Sequence, residues 1–249
     1  MAALARFIVL TNGRSGSNLL VTGLQQHPEI RAYGELLAEH EYERRRDASG
    51  FGIWYYREGE DVIDYLSRVA FSFQPWAKPK AVGFKMLYNH ARKDKGVAKA
   101  WQYLIAEKDI HIVHLVRRNL FECCVSHEVA YRTNVWARDA EDRRPSPEVP
   151  SFRIGPQKCK GFIMTMLRQR EWAFEEFKDH PQVILEYEKD LCKNYQKTMN
   201  RVFRFLGVPN RPVEKVLAKQ GTKPAREQVS NFLELRRFFT GTDYDAYFR

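Results

Sequence analysis

No apolar run in this chain is long. The most hydrophobic stretches, Phe7 to Leu10 and Ile110 to Val116, fall far short of the roughly 20 residues that a membrane-spanning helix needs. The N-terminus also lacks the extended apolar segment and cleavage site of a signal peptide, so the expected location is the cytoplasm. Cysteine is scarce: Cys123, Cys124, Cys159 and Cys192 form no CxxC pair and have no nearby zinc-type ligand array. They are expected to be buried thiols, with no metal. Internal repeats and low-complexity tracts are absent, which excludes solenoids and mucin-like or prion-like segments. No block of five basic residues occurs, and the densest run, Arg44-Arg45-Arg46, is followed at once by Asp47. A polybasic nucleic-acid tail is thereby excluded.

What is present is a chain of 249 residues, 44% hydrophobic, enough to bury one full core. A single domain over residues 1–249 is expected. The net charge of +10 points to an anionic partner, be it nucleic acid, a membrane surface or a polyanionic nucleotide, and charge alone does not choose. Short apolar runs at Arg6–Leu10, Ala81–Leu87, Ile110–Val116 and Gln182–Tyr187 have the character of buried parallel strands. Helical patterns separate them, including a long amphipathic one from Pro156 to Lys178. The reading is an α/β fold, a three-layer sandwich with a central parallel sheet. The aromatic-rich stretch from Phe51 to Trp76 is read first as core packing and second as the wall of a pocket. Three prolines between Asp139 and Pro150 rule out a helix there and suggest a mobile surface loop.

The first strand runs into Thr11-Asn12-Gly13-Arg14-Ser15-Gly16-Ser17-Asn18 and then into the helical pattern beginning at Leu19. A strand-loop-helix of this kind presents backbone N–H groups and the positive end of the helix dipole to an anion. Gly13 and Gly16 allow close backbone approach, Arg14 adds fixed charge, and Ser15, Ser17 and Asn18 add donors. The loop is P-loop-like but has neither the GxxxxGK spacing nor the lysine of ATP-binding loops. The strand ending at Val116 exits into Arg117-Arg118, where a magnesium enzyme would carry an aspartate. A site that gathers cations from side chains has less need of a metal. With a helix starting near Asn119, Arg118 and Ser126 can reach one phosphate from two directions.

Together these elements resemble the sulfotransferases that use 3′-phosphoadenosine 5′-phosphosulfate (PAPS), and in particular a bacterial branch that includes trehalose 2-sulfotransferase. The resemblance implies that Arg14, Ser15, Gly16, Ser17, Asn18 and Leu19 hold the 5′-phosphosulfate end of PAPS, and Arg118 and Ser126 its 3′-phosphate. The run Arg132-Thr133-Asn134-Val135-Trp136 looks like the same branch. Gly34-Glu35 resembles the family dipeptide that carries the general base, and Val82-Gly83-Phe84-Lys85 a family strand with a lysine at the site. Phe205-Leu206-Gly207-Val208-Pro209 and Lys219 to Asn231 look like the closing helix and a late loop over the nucleotide, with Gln220 and Thr222 as nucleotide contacts. Asn18 stands where many members have threonine, and Lys219-Gln220-Gly221-Thr222-Lys223 lacks the Arg-Lys-Gly order of the eukaryotic cytosolic enzymes.

Sulfuryl transfer needs an in-line acceptor oxygen, a base and positive charge around the leaving phosphate. Arg14 and the loop backbone are expected at the leaving phosphate, Lys85 at the bridging or sulfuryl oxygen, and Glu35 as the base. His90, near a strand end and matched to neutral pH, is the rival base. The expected product is 3′,5′-adenosine diphosphate (PAP), and the acceptor a hydroxyl of a carbohydrate, a lipid or another small molecule. Two other readings stay open: a P-loop kinase or NTPase using ATP and Mg²⁺, with Glu186 or Glu188 as its acid, and a basic, aromatic-rich nucleic-acid-binding protein.

Overall fold

The computed structural model describes residues 4–37, 56, 59–72, 79–90, 95–136, 149–217 and 223–249. Five strands form one sheet: β1 (Ala5–Thr11), β2 (Ile30–Tyr33), β3 (Ala81–Leu87), β4 (His111–Val116) and β5 (Gln182–Glu186). Their spatial order is β2-β3-β1-β4-β5, and every pairing is parallel. Strand β1 is central because its run Phe7 to Leu10 is completely buried on both faces. The alternation within β1 divides the core. Ile8 and Leu10 join Val82, Phe84, Met86, Trp101 and Phe177 on one side, while Phe7 and Val9 join Leu20, Leu24, Met199 and Phe203 on the other.

Helices α1 (Ser17–Gln25) to α8 (Phe232–Phe239) include α2 (Val62–Tyr65), α3 (Lys95–Ala106), α4 (Leu120–Thr133), α5 (Pro156–Glu176), α6 (Tyr195–Phe205) and α7 (Ala225–Gln228). Helices α1 and α6 cover one face of the sheet, and α2, α3 and the C-terminal part of α5 the other, which gives the expected three layers. A third cluster joins Leu120, Phe121 and Cys124 of α4 to Cys159 and Ile163 of α5 and Leu235 and Phe239 of α8. It braces the helix that follows β4.

Four of the strands match the apolar runs of the sequence. The long helix begins at Pro156, where proline is tolerated as the first helical residue, and ends at Glu176. Helix α6 stops where Gly207 adopts a left-handed φ of 72°, with Val208 N–H donating to the Phe203 carbonyl at 2.9 Å. Strand β2 has no counterpart in the sequence reading. Tyr56, Tyr65 and Phe71 of the aromatic-rich stretch are buried in the core, as expected; Phe51, Trp54, Tyr55, Phe73 and Trp76 lie outside the described residues. So does most of the proline-rich stretch, residues 139–148. Among the cysteines one correction is needed: Cys192 is exposed while the other three are buried. No helix among the described residues is long and apolar enough to cross a membrane.

Candidate active site

Because all strands are parallel, their carboxyl ends share one edge, and the strand order changes direction around β1. Ligands of open α/β sheets sit in the crevice at such a point. The loops leaving β1, β2, β3 and β4 all open there, and they carry the residues that the sequence singled out.

The loop after β1 is held in shape by its own side chains. Thr11 Oγ1 and Ser15 Oγ lie 2.5 Å apart, and Ser15 Oγ donates to the Asn12 carbonyl at 2.5 Å. Ser15 is fully buried and its hydroxyl is engaged with Thr11 and the Asn12 carbonyl, so the hydroxyl serves the loop rather than a ligand. Arg14 and Gly16 have φ of 63° and 83°. At Gly16 a Cβ would lie 2.4 Å from the Tyr187 ring, so both conformation and space require glycine there. Gly13 has open space around it and no left-handed φ, so within the chain itself neither packing nor conformation demands a glycine there. Helix α1 starts on Gly16 with no side-chain cap and no acid in its first turn. Its first backbone bond runs from Leu20 N–H to the Gly16 carbonyl, so the N–H groups of Ser17, Asn18 and Leu19 lie ahead of the helical ladder. The Leu19 side chain packs against the core, and its carbonyl accepts from Tyr195.

The loops after β1 and β4 are in direct contact. Arg14 Nε donates to Ser126 Oγ at 3.0 Å and its Nη1 to the Trp136 carbonyl at 2.6 Å. Arg117 Nη1 donates to the Arg14 carbonyl at 2.8 Å, and Cys123 Sγ to that of Gly13 at 3.3 Å. Burial pushes the Cys123 thiol up to about 11, so it remains a thiol that buttresses the loop. Burial likewise lowers the Arg14 guanidinium from its ordinary value. Arg118 is turned toward solvent, with Nη1 3.4 Å from Glu186 Oε2. Ser126 therefore pairs with Arg14, and Arg118 with Glu186, rather than Arg118 and Ser126 forming one unit.

Arg117 was not assigned a role from sequence, although the doubled arginine at a strand end was the available signal. It is buried, pairs with Glu122 at 3.0 Å and lies 4.9 Å from the Tyr187 ring centroid. Glu188 was considered only as a metal-binding acid. Its carboxylate instead accepts the backbone N–H groups of Arg118 and Asn119, each at 3.0 Å. Of the two acids offered for a kinase, Glu188 is thus taken up by backbone donors and Glu186 lies in an ion pair with Arg118; no group of three or more potential metal ligands occurs among the described residues.

The third part is a charged cluster at the ends of β2 and β3. Lys85 N–H donates to the Gly34 carbonyl at 3.1 Å, which extends the strand pairing and brings Glu35 beside Lys85. The alternation along β3 puts Phe84 and Met86 on one face and Lys85 on the face covered by α1. There the buried ammonium is hydrogen-bonded to Asn18 Oδ1 and lies 2.6 Å from Glu35 Oε1. His90 Nε2 lies 3.2 Å from Glu35 Oε2. Glu35 and His90, rivals in the sequence, are neighbours in space. Burial by itself pushes the Glu35 carboxyl up, but the His90 hydrogen bond and the Lys85 charge outweigh it and lower the group from 4.5 to about 2. Gln220 and Thr222 lie outside the described residues.

Set beside known proteins, this architecture has a clear counterpart. A sulfotransferase from Alicyclobacillus acidocaldarius superposes with a TM-score of 0.52 at 16% identity, over 99% of this chain and all of that one. The chain has the sulfotransferase fold. In sequence it is 27% identical over 251 residues to nodulation protein H of Rhizobium tropici, covering 97% of this chain and 92% of that protein. Nodulation protein H of Rhizobium meliloti is 23% identical over 246 residues, covering 97% and 94%. No protein-family model matches the chain.

Proposed function

We propose that this protein is a PAPS-dependent sulfotransferase, transferring the sulfuryl group of PAPS to a hydroxyl of a carbohydrate, lipid or other small acceptor. The observation that carries the reading is the meeting of three elements on one sheet edge: the uncapped loop of residues 12–18, the arginine-bearing loop after β4, and the Lys85–Glu35–His90 cluster. The likeness to nodulation H proteins over nearly the whole chain and the shared sulfotransferase fold support it.

The backbone N–H groups of residues 15–19 and Arg14 take the 5′-phosphosulfate end, and Arg118 and Ser126 take the 3′-phosphate by exchanging their present partners Glu186 and Arg14 for it. The acceptor oxygen forms a bond to sulfur as the bond from sulfur to the 5′-phosphate oxygen breaks; the hydroxyl proton passes to Glu35 and PAP leaves. A carboxylate held at about 2 is a weak base. Lys85, however, cannot serve Glu35 and the sulfuryl oxygens equally. As it turns to the donor, Glu35 loses a cationic partner and gains proton affinity just when a base is needed. The donor set around the loop is made of arginine, lysine and backbone N–H groups, which suits phosphate and sulfate oxygens and requires no metal.

Binding tests this directly. Calorimetric titration is expected to give tight binding of PAP without metal, weaker binding of 5′-AMP, and little of ATP with Mg²⁺. Arg118→Ala should weaken PAP far more than 5′-AMP; equal losses would remove Arg118 from the 3′-phosphate. Labelled PAPS offered to a panel of glycans, glycolipids and phenols then identifies the acceptor class.

A further inference from the structure

We infer that His90 is a positioning residue that holds Glu35 in place as the base, with its ring locked in one tautomer, and is not itself the base. The inference rests on the sulfotransferase reading and goes further into the same site.

The ring has no nitrogen to spare. Leu87 N–H donates to His90 Nδ1 at 3.2 Å, so Nδ1 is an acceptor and carries no proton. The proton of the neutral ring then sits on Nε2, which is 3.2 Å from Glu35 Oε2 and can only donate to it. A general base must offer a free lone pair to the acceptor hydroxyl, and neither nitrogen does. The ring is held through both nitrogens, and the backbone that carries it is tied down as well: His90 N–H donates to the Leu87 carbonyl at 2.9 Å, and Trp101 Nε1, from α3, donates to the His90 carbonyl at 2.8 Å. His90 is 7% exposed, so water does not compete for these contacts.

The two oxygens of Glu35 thus have unlike partners. Oε1 faces Lys85, a long chain that also reaches Asn18 on α1 and is the group expected to move to the donor. Oε2 faces a ring clamped from two sides. When Lys85 leaves, the Nε2–H bond is the contact that keeps the carboxylate aimed, with Oε1 opened toward the acceptor. Lys85 and His90 are the charged and titratable groups that meet Glu35 among the described residues.

Two variants separate the two nitrogens. In His90→Asn the shorter amide keeps an acceptor near Nδ1 and loses the donor at Nε2; in His90→Gln the amide NH₂ reaches toward the Nε2 position. We expect His90→Asn to lower kcat roughly 100-fold with little change in KM for PAPS, as misplacement of one reacting group does. His90→Gln should recover a substantial part of the loss. In His90→Asn the acid limb of the kcat/KM profile should move to higher pH, because Glu35 has lost a hydrogen bond to its charged form. An acid limb that stays in place, or a Gln variant as impaired as Asn, overturns the assignment. So does a Glu35→Gln enzyme that keeps wild-type turnover, which would make His90 the base. A readout free of activity is the ¹³C titration of the Glu35 carboxyl in PAP-free protein, where His90→Asn should raise its midpoint relative to wild type. An unmoved midpoint overturns the inference even in an active enzyme. A raised midpoint in a protein that transfers no sulfuryl group upholds the His90–Glu35 coupling while refuting the proposed activity.

Discussion

In the proposed reaction Glu35 bears most of the chemical burden at the scale of single residues. Its carboxyl is lowered in the folded protein, so it contributes stability that is present above the ordinary carboxylate range and is lost as pH falls toward about 2. Glu35→Gln should therefore be closest to wild type in stability below about pH 2 and differ most near neutrality, as denaturation midpoints across that range would record. In transfer assays the same variant should lose roughly 100-fold or more in kcat while still binding PAP, the loss expected when a positioned base is removed. Gly16 makes the second case. With φ of 83° and the Tyr187 ring where a Cβ would lie, Gly16→Ala strains both backbone and packing and should cost roughly 1–3 kcal/mol in denaturant titration. Gly13→Ala, in open space, should cost much less. The pair of glycines looks equivalent in sequence because a φ angle and a ring 171 positions away are not written in a pentapeptide.

Among the elements, the start of α4 is where two segments distant in sequence are tied together. Asn119 caps the helix by accepting Glu122 N–H at 3.0 Å, and Glu188, beyond β5, accepts the N–H groups of Arg118 and Asn119. Glu188→Ala leaves two backbone donors without that acceptor and should destabilise by about 1–3 kcal/mol. If the carboxylate sets the course of the Arg118 loop, PAP affinity should fall with stability while 5′-AMP affinity changes less; equal affinities in variant and wild type would confine Glu188 to a structural role. Strand β2 shows why some elements escape a sequence reading. Ile30-Arg31-Ala32-Tyr33 is only four residues long and has little pattern of its own. It is a strand because β3 offers a ladder to pair with, and that pairing is what carries Glu35 to the site.

For the molecule as a whole, a net charge of +10 favours polyanions at long range, and the converging loops select among them. A ligand at about 100 times its Kd stabilises the folded state by about 2.7 kcal/mol. PAP should therefore raise Tm measurably, by less as salt is added and its charges are screened. A larger shift from single-stranded DNA than from PAP would favour the nucleic-acid reading instead.

The sequence by itself determined the strand-loop-helix at residues 6–19, the parallel α/β character, and the arginines where a magnesium acid would stand. These are local: they follow from hydrophobic runs, glycine and charge within a few residues of one another. Only the tertiary structure decided that Ser126 meets Arg14, that Ser15 turns inward, and that Glu35 and His90, 55 residues apart, lie within hydrogen-bond distance of each other. Those outcomes depend on which strands lie side by side, and strand order is set by how two faces of a sheet are buried together, which no short stretch of sequence contains.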